Sequence, residues 1–198
     1  MTVKTIMQIG DLLHIVNTDG TKQSAFAALP LWLVSVPAVV EPDPGTGNGT
    51  IYNPWAGRSQ GYEWESHRTY SAGGSDYPCY NENLPAPASG VLHTSGGSGE
   101  FAAGNIGSAG LRSVLYLDTP VARTIAKSTT LMNGSTYEAD GPMTHIVFQH
   151  QSSMGVHMQH YNQTEIVGVS GNTGGADYHL HIHGLQANGA RVDFDKFI

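Results

Sequence analysis

The chain has 198 residues and a formal net charge of −7, a length that suits one domain with a small extension. Nine lysine and arginine residues are too few to line a groove that follows nucleic-acid phosphates, so the composition argues against a nucleic-acid-binding protein. The single cysteine excludes an internal disulfide and a CxxC metal knuckle. Any bound metal would therefore be held by histidine and carboxylate side chains.

The N-terminal forty residues are predicted to be a small β-hairpin or meander that serves as an attachment segment. The first twenty residues contain no apolar stretch followed by a cleavage site, which predicts that there is no secretory signal. The apolar run at residues 26–40 is too short and too rich in proline to cross a membrane. Residues 41–52 are rich in proline and glycine and are predicted to be a linker. Residues 53–198 are predicted to form the main domain.

The main domain is predicted to be all-β, with mainly antiparallel sheet. Its many glycines and prolines disfavour a helical bundle. Apolar and polar residues alternate at 111–119 and 144–150, which indicates strands buried on one face. The stretch from 119 to 141 is predicted to be a long loop. The predicted strands lie within residues 86–96, 111–119, 143–151, 164–171 and 178–186.

Histidine is the unusual residue type in this chain. Ten histidines outnumber the nine basic residues, and nine of the ten lie between His67 and His183. In the segment HLHIH a β-strand would direct His179, His181 and His183 to the same face. Three imidazoles on one face indicate a metal or catalytic site, whereas the alternative is a solvated histidine-rich edge or a non-specific metal patch.

Several segments resemble the lysostaphin-like (LytM-type) zinc metallopeptidases. GNTGGADYHLHIH at residues 171–183 is similar to the family's C-terminal signature, in which a G-x-T-G turn leads into an H-L-H-F strand. HIVFQHQS at 145–152 resembles the strand that ends in the family's His-Leu-Ser element, and residues 184–198 resemble its closing stretch. SDYPCYNENLPAPASGVL at 75–92 resembles the segment that carries the family's aspartate. The resemblance implies the duplicated, mainly antiparallel fold of these peptidases.

The resemblance also implies the site. One zinc ion would be bound by His67, Asp76 and His181, while His150 and His179 would be catalytic. The family's first histidine ligand lies four residues before the aspartate, a position that Ala72 occupies here. His67, nine residues before Asp76, is therefore predicted to reach the metal through a longer loop.

The remaining candidates are predicted to lie outside the catalytic chemistry. His93 and His145 are the reserve ligands, although His145 has the opposite strand parity to His150. His183 is interpreted as a strand histidine or a partner of the ligands, and Cys79 as a small buried residue. Tyr77, Tyr178 and Trp64 are candidates for a substrate groove or for the core. His157 and His160 are interpreted as unrelated to the site.

The function implied by the resemblance is a zinc endopeptidase that cleaves bacterial peptidoglycan. We expect delivery as part of a bacteriophage tail, with phage tail proteins as further partners, or release to the cell wall by lysis. One alternative is a catalytically degenerate domain that binds peptidoglycan or a protein partner. Another is a phage tail structural protein in which the histidines hold only a structural metal.

Overall fold

The structure is a computed structural model that describes residues 3–9, 12–17, 22–26, 49–55, 57, 60–61, 73–127 and 138–198. His67, Trp64 and Ala72 lie outside the described residues, as does part of the loop predicted at 119–141. The chain divides into two compact units, Met1–Glu41 and Pro42–Ile198.

The first unit contains a three-stranded antiparallel sheet in the order β1-β2-β3. Its strands are β1 (Val3–Ile9), β2 (Leu12–Asn17) and β3 (Lys22–Phe26). The predicted N-terminal β extension is confirmed, and of its two predicted forms, a hairpin or a meander, the three sequential antiparallel strands form the meander.

The second unit contains an eight-stranded sheet and a three-stranded sheet. The large sheet has the order β11-β6-β8-β9-β13-β14, with β4 paired to β13 and β7 paired to β8, and the small sheet has the order β10-β12-β5. The strands are β4 (Ser75–Tyr77), β5 (Asn83–Pro85), β6 (Gly90–His93), β7 (Gly104–Asn105), β8 (Leu111–Val121), β9 (Met143–Gln151), β10 (Ser153–Met154), β11 (Gln159–Tyr161), β12 (Ile166–Val169), β13 (Leu180–Leu185) and β14 (Arg191–Val192). Three short 3₁₀ helices complete the unit: η1 (Gly99–Phe101), η2 (Gly107–Ala109) and η3 (Phe194–Phe197).

The prediction of an all-β fold is confirmed. Each of the five predicted strand segments overlaps a strand of this unit, although β8 runs on to Val121, inside the loop predicted at 119–141. Every strand pairing is antiparallel. In the described ranges the chain has no α-helix, and none of its helices is long and apolar enough to cross a membrane.

Both faces of the large sheet are buried at its centre. On one face a large apolar cluster includes Leu84, Leu92, Leu115, Ile146, Phe148, Val167, Leu180 and Ile182. On the opposite face a smaller cluster contains Val114, Val147 and Leu185, covered by Phe101 and Ala103. All nine residues of β9 are buried, so the prediction that this strand is buried on one face is wrong. The polar side of β9 is buried because the segment around η1 packs across it.

Strand β13 is the centre of the arrangement that positions the histidines. It pairs with β9 along one edge, and with β4 and β14 along the other. His181 lies opposite Asp76 of β4 and opposite Gln149 of β9. Because side chains alternate along strands, Asp76, Gln149 and His181 all face the side of the smaller apolar cluster.

Candidate metal and catalytic site

Asp76 and His181 form the buried centre of the site. They are direct partners in the pairing of β4 with β13, and the His181 Nδ1 lies 2.9 Å from the Asp76 Oδ1. The His181 side chain is 6% exposed and that of Asp76 is 12% exposed. An aspartate and a histidine from adjacent strands therefore present a carboxylate oxygen and a ring nitrogen to the same point.

His179 adds a third donor atom at this point. Its Nε2 lies 3.7 Å from the Asp76 Oδ1, and donor atoms of Asp76, His179 and His181 all lie within 4.8 Å of one another. Two zinc ligands that lie ~2.0–2.1 Å from the ion in a tetrahedral arrangement are ~3.3 Å from each other. This separation lies between the distances from the Asp76 Oδ1 to the His181 Nδ1 and to the His179 Nε2, which are 2.9 Å and 3.7 Å. Histidine nitrogen and carboxylate oxygen are donors that zinc accepts, so these residues fit a zinc ion.

Gly74 lies directly against the imidazole of His181. A Cβ at this position would come within 2.3 Å of the His181 Nε2, so a larger residue would displace the ring. Gly73, just before it, has φ +96, a conformation that favours glycine. The two glycines thus bring the backbone over the Nε2 edge of His181 and leave its Nδ1 edge toward Asp76. This Gly-Gly pair lies in the loop through which His67 is predicted to reach the metal.

His150 reaches the site through an unusual backbone conformation. Regular alternation along β9 would place it with Ile146 and Phe148 in the main core. Its φ is +59, however, and the register of β9 with β8 shifts between Ser113 and Leu111, as in a β-bulge. The His150 ring centroid consequently lies 4.7 Å from that of His179 and 6.1 Å from that of His181.

The rings of His150 and His179 are held in the same tautomer. The Nδ1–H of His150 donates to the Thr173 carbonyl at 2.9 Å, and that of His179 donates to the Asp177 carbonyl at 2.7 Å. A carbonyl oxygen can only accept, so a neutral ring in this position has an unprotonated Nε2. Burial lowers the pKa of His150, although the Thr173 carbonyl opposes this effect. His150 is therefore suited to accept a proton at Nε2.

The reserve histidines belong to a separate aromatic cluster. His93 stacks on Tyr116 with centroids 3.9 Å apart, and His145 meets Tyr116 edge-on at 4.2 Å. His145 pairs with Leu185 and lies on the same sheet face as His181. The conformation of His150 brings that residue to this face as well, so the predicted difference in facing between His145 and His150 is wrong. Its Nδ1 and the Thr144 hydroxyl are 2.7 Å apart, so His145 serves packing in this structure.

Burial of His145 predicts a specific loss of stability in acid. Desolvation, with a smaller effect of the His93 charge, lowers the pKa of His145 from 6.5 to about 4. The unfolded chain therefore takes up this proton first, and stability falls as the pH drops from 6.5 toward 4. Between pH 7.5 and pH 5 the free energy of unfolding should therefore fall in both proteins. We expect the fall to be about 1–2 kcal/mol smaller in His145→Phe than in the wild type. Urea unfolding at both pH values tests this, and equal losses would contradict it.

The other candidates lie apart from the three donor atoms. The His157 Nδ1 accepts a hydrogen bond from the Thr94 amide, and the His160 Nε2 lies 2.7 Å from an Asp118 carboxylate oxygen. Burial and the nearby Glu82 raise the pKa of Cys79 to about 11, so its thiol is protonated at neutral pH.

The two described aromatic candidates have different environments. Tyr77 is buried in the main core, and its hydroxyl donates to the Asp195 carboxylate. Tyr178 is 38% exposed and packs against Tyr80, with ring centroids 4.1 Å apart. Of these residues only Tyr178, next to His179 in the chain, is placed to meet a substrate.

The chain is similar to solved structures, although neither a protein-family model nor a curated protein matches its sequence. A putative M23 peptidase from Pseudomonas aeruginosa is 19% identical with a TM-score of 0.51, and the alignment covers 94% of this chain and 71% of that one. Lysostaphin from Staphylococcus simulans, an antimicrobial peptidase, is 18% identical with a TM-score of 0.44 over 69% of this chain and 46% of that one.

A third similar structure is the catalytic domain of the prophage-encoded M23 protein EnpA from Enterococcus faecalis, solved as a point mutant. It is 16% identical with a TM-score of 0.43, over 79% of this chain and 95% of that one. The chain spans less than half of the lysostaphin chain. The likeness to the Pseudomonas structure shows that the chain has the lysostaphin/M23 peptidase fold, as the resemblance of its motifs predicts.

Proposed function

We propose that the chain is a zinc-dependent endopeptidase that hydrolyses amide bonds in the stem peptides or cross-bridges of bacterial peptidoglycan. The observation that supports this function best is the convergence of Asp76, His179 and His181 donor atoms in an M23 peptidase fold. Asp76, His181 and His67 are the proposed zinc ligands. His150 and His179 are the proposed catalytic residues.

The chemistry follows from the tautomers of the two catalytic histidines. A bound zinc ion would polarise the scissile carbonyl and make water at the site more acidic. His150, whose pKa is lowered by burial, accepts the proton of the attacking water at Nε2. The Nδ1–H of His179 is already donated to the Asp177 carbonyl, so this ring stabilises the developing oxyanion or protonates the leaving amine only after its Nε2, which faces Asp76, has taken up a proton. Asp76 and His181 hold their donor atoms together on adjacent strands.

Metal analysis combined with digestion tests the proposal. We expect about one zinc ion per purified chain, and removal of zinc by a chelator should lower hydrolysis of peptidoglycan by at least ~100-fold. Adding zinc should restore the activity. Peptidoglycans with several cross-link types would be digested and the fragments identified by mass spectrometry, which also locates the bond that is cut.

The alternatives give different results in the same experiment. Less than one zinc ion per chain, with no activity after zinc is added, would refute the enzyme and favour a degenerate binding domain. Zinc held without hydrolysis of any peptidoglycan would favour a structural metal.

Delivery by a bacteriophage tail is a further part of the proposal. The N-terminal strands precede a segment rich in proline and glycine, which suits attachment, and the net charge of −7 gives no attraction to an anionic cell envelope. Absence of the protein from purified particles of the phage that encodes it would contradict this route.

A further inference from the structure

A largely buried arginine and a partly exposed glutamate connect distant segments to the backbone that covers His181. Arg191, on β14, donates from Nε to the Glu100 carboxylate at 2.7 Å and from Nη1 to the Gly73 carbonyl at 2.7 Å. The Arg191 side chain is 13% exposed and that of Glu100 is 35% exposed. One guanidinium thus joins η1 to the loop that leads into β4.

The position of the Gly73 carbonyl is linked to the geometry of Asp76 and His181. Gly73 immediately precedes Gly74, whose backbone lies against the His181 ring, and Asp76 follows two residues later. A shift of the loop would change the distance between the Asp76 carboxylate and the His181 Nδ1. The planar fork of an arginine suits this position, since it offers two donors in fixed directions to two acceptors at once.

Glu100 also contacts the side chains of Arg112 and His183. Arg112 donates to its backbone carbonyl and lies 3.7 Å from its carboxylate. The Nε2 of the fully buried His183 lies 3.6 Å from the same carboxylate, and the His183 ring is 5.6 Å from that of His181. Burial alone would raise the pKa of Glu100, but contacts with His183 and Arg191 lower it overall. The ionised Glu100 carboxylate therefore holds the Arg191 guanidinium against the Gly73 carbonyl.

We propose that Arg191 and Glu100 are positioning residues of the metal site. They hold the Gly73–Gly74 backbone on His181, so that the Asp76 and His181 donor atoms stay close enough to share one ion. This inference rests on the proposed function, because it takes Asp76 and His181 as zinc ligands.

The test is the zinc affinity of Arg191→Gln, measured by competition with a chromogenic chelator. We expect a loss of ~10–100-fold, the usual effect of removing a group that orients metal ligands. Arg191→Lys keeps the charge but lacks the fork, and should recover only part of the affinity. Glu100→Gln provides a second test if Arg191→Gln fails to fold, and should also bind zinc more weakly.

Arg123→Gln is the matched control. Arg123 makes the same two kinds of contact, donating to the Ala139 carbonyl at 2.6 Å and pairing with Glu138 at 2.5 Å, but neither partner belongs to the site. This variant should unfold more readily in urea when metal-free, while keeping the zinc affinity of the wild type.

The outcomes separate the two proposals. Zinc affinity that is unchanged in Arg191→Gln, or reduced equally in Arg123→Gln, would overturn the positioning role and leave the proposed function intact. A wild-type protein that binds no zinc would refute the proposed function, and the positioning role with it.

Discussion

Replacement of His181 by alanine is expected to abolish both zinc binding and peptidoglycan hydrolysis. The substitution removes the ring whose Nδ1 lies 2.9 Å from the Asp76 carboxylate, and with it one of the donor atoms that meet at the site. We expect hydrolysis to fall by at least ~1,000-fold, equivalent to ~4 kcal/mol of transition-state stabilisation. Zinc content by elemental analysis and fragment release measured by mass spectrometry give the two results independently.

His160→Ala is the control for this substitution. His160 is 47% exposed and pairs with Asp118 on the neighbouring part of the large sheet, so its removal should leave zinc content and hydrolysis unchanged. Full lytic activity in His181→Ala would refute the assignment of His181. Retained zinc together with lost hydrolysis would instead indicate that His181 is not required as a ligand and acts in the reaction.

Local sequence patterns were sufficient to predict that His179 and His181 lie close together. A spacing of two residues in a strand places His179 and His181 on one face, and the structure has both donors near Asp76. The pairing of Asp76 with His181 joins residues 105 positions apart. It could be anticipated only through the resemblance of the flanking motifs to a known family, because no local pattern encodes that register.

Strand parity could not predict the position of His150. Alternation is a property of regular strands, whereas the left-handed conformation of this residue turns its side chain to the other face. Histidine is enriched among the few non-glycine residues that adopt that conformation, but the conformation is uncommon even for histidine, so the residue type alone does not show which histidine adopts it. A register shift between neighbouring strands depends on how both strands pack.

The contact between Arg191 and Glu100 could not be predicted from the sequence either. Arg191 and Glu100 are 91 positions apart, and a single arginine in a strand normally indicates a solvated side chain. They meet because η1, which contains Glu100, packs over the polar face of β9. The alternation in β9 predicted a solvent-facing side. The structure lacks this side because the segment around η1 covers it.

Replacement of His67 by alanine is the second decisive experiment, because this residue is the proposed third ligand. We expect zinc affinity to fall by at least ~100-fold, since two protein ligands hold zinc far less firmly than three. Adding Ala72→His to His67→Ala should restore binding, because this position matches the histidine four residues before the aspartate in lysostaphin-like peptidases. Chelator competition on the wild type and both variants measures the loss and the recovery.

His179→Ala identifies the ligand set if His67 proves dispensable. With His67 as ligand, His179→Ala should keep zinc while hydrolysis falls by ~100-fold or more, as expected for loss of a catalytic group. Unchanged zinc affinity in His67→Ala, together with zinc loss in His179→Ala, would contradict the proposed set. The ion would then be held by Asp76, His179 and His181, whose donor atoms already lie within 4.8 Å of one another, and His150 alone would carry the proton transfer.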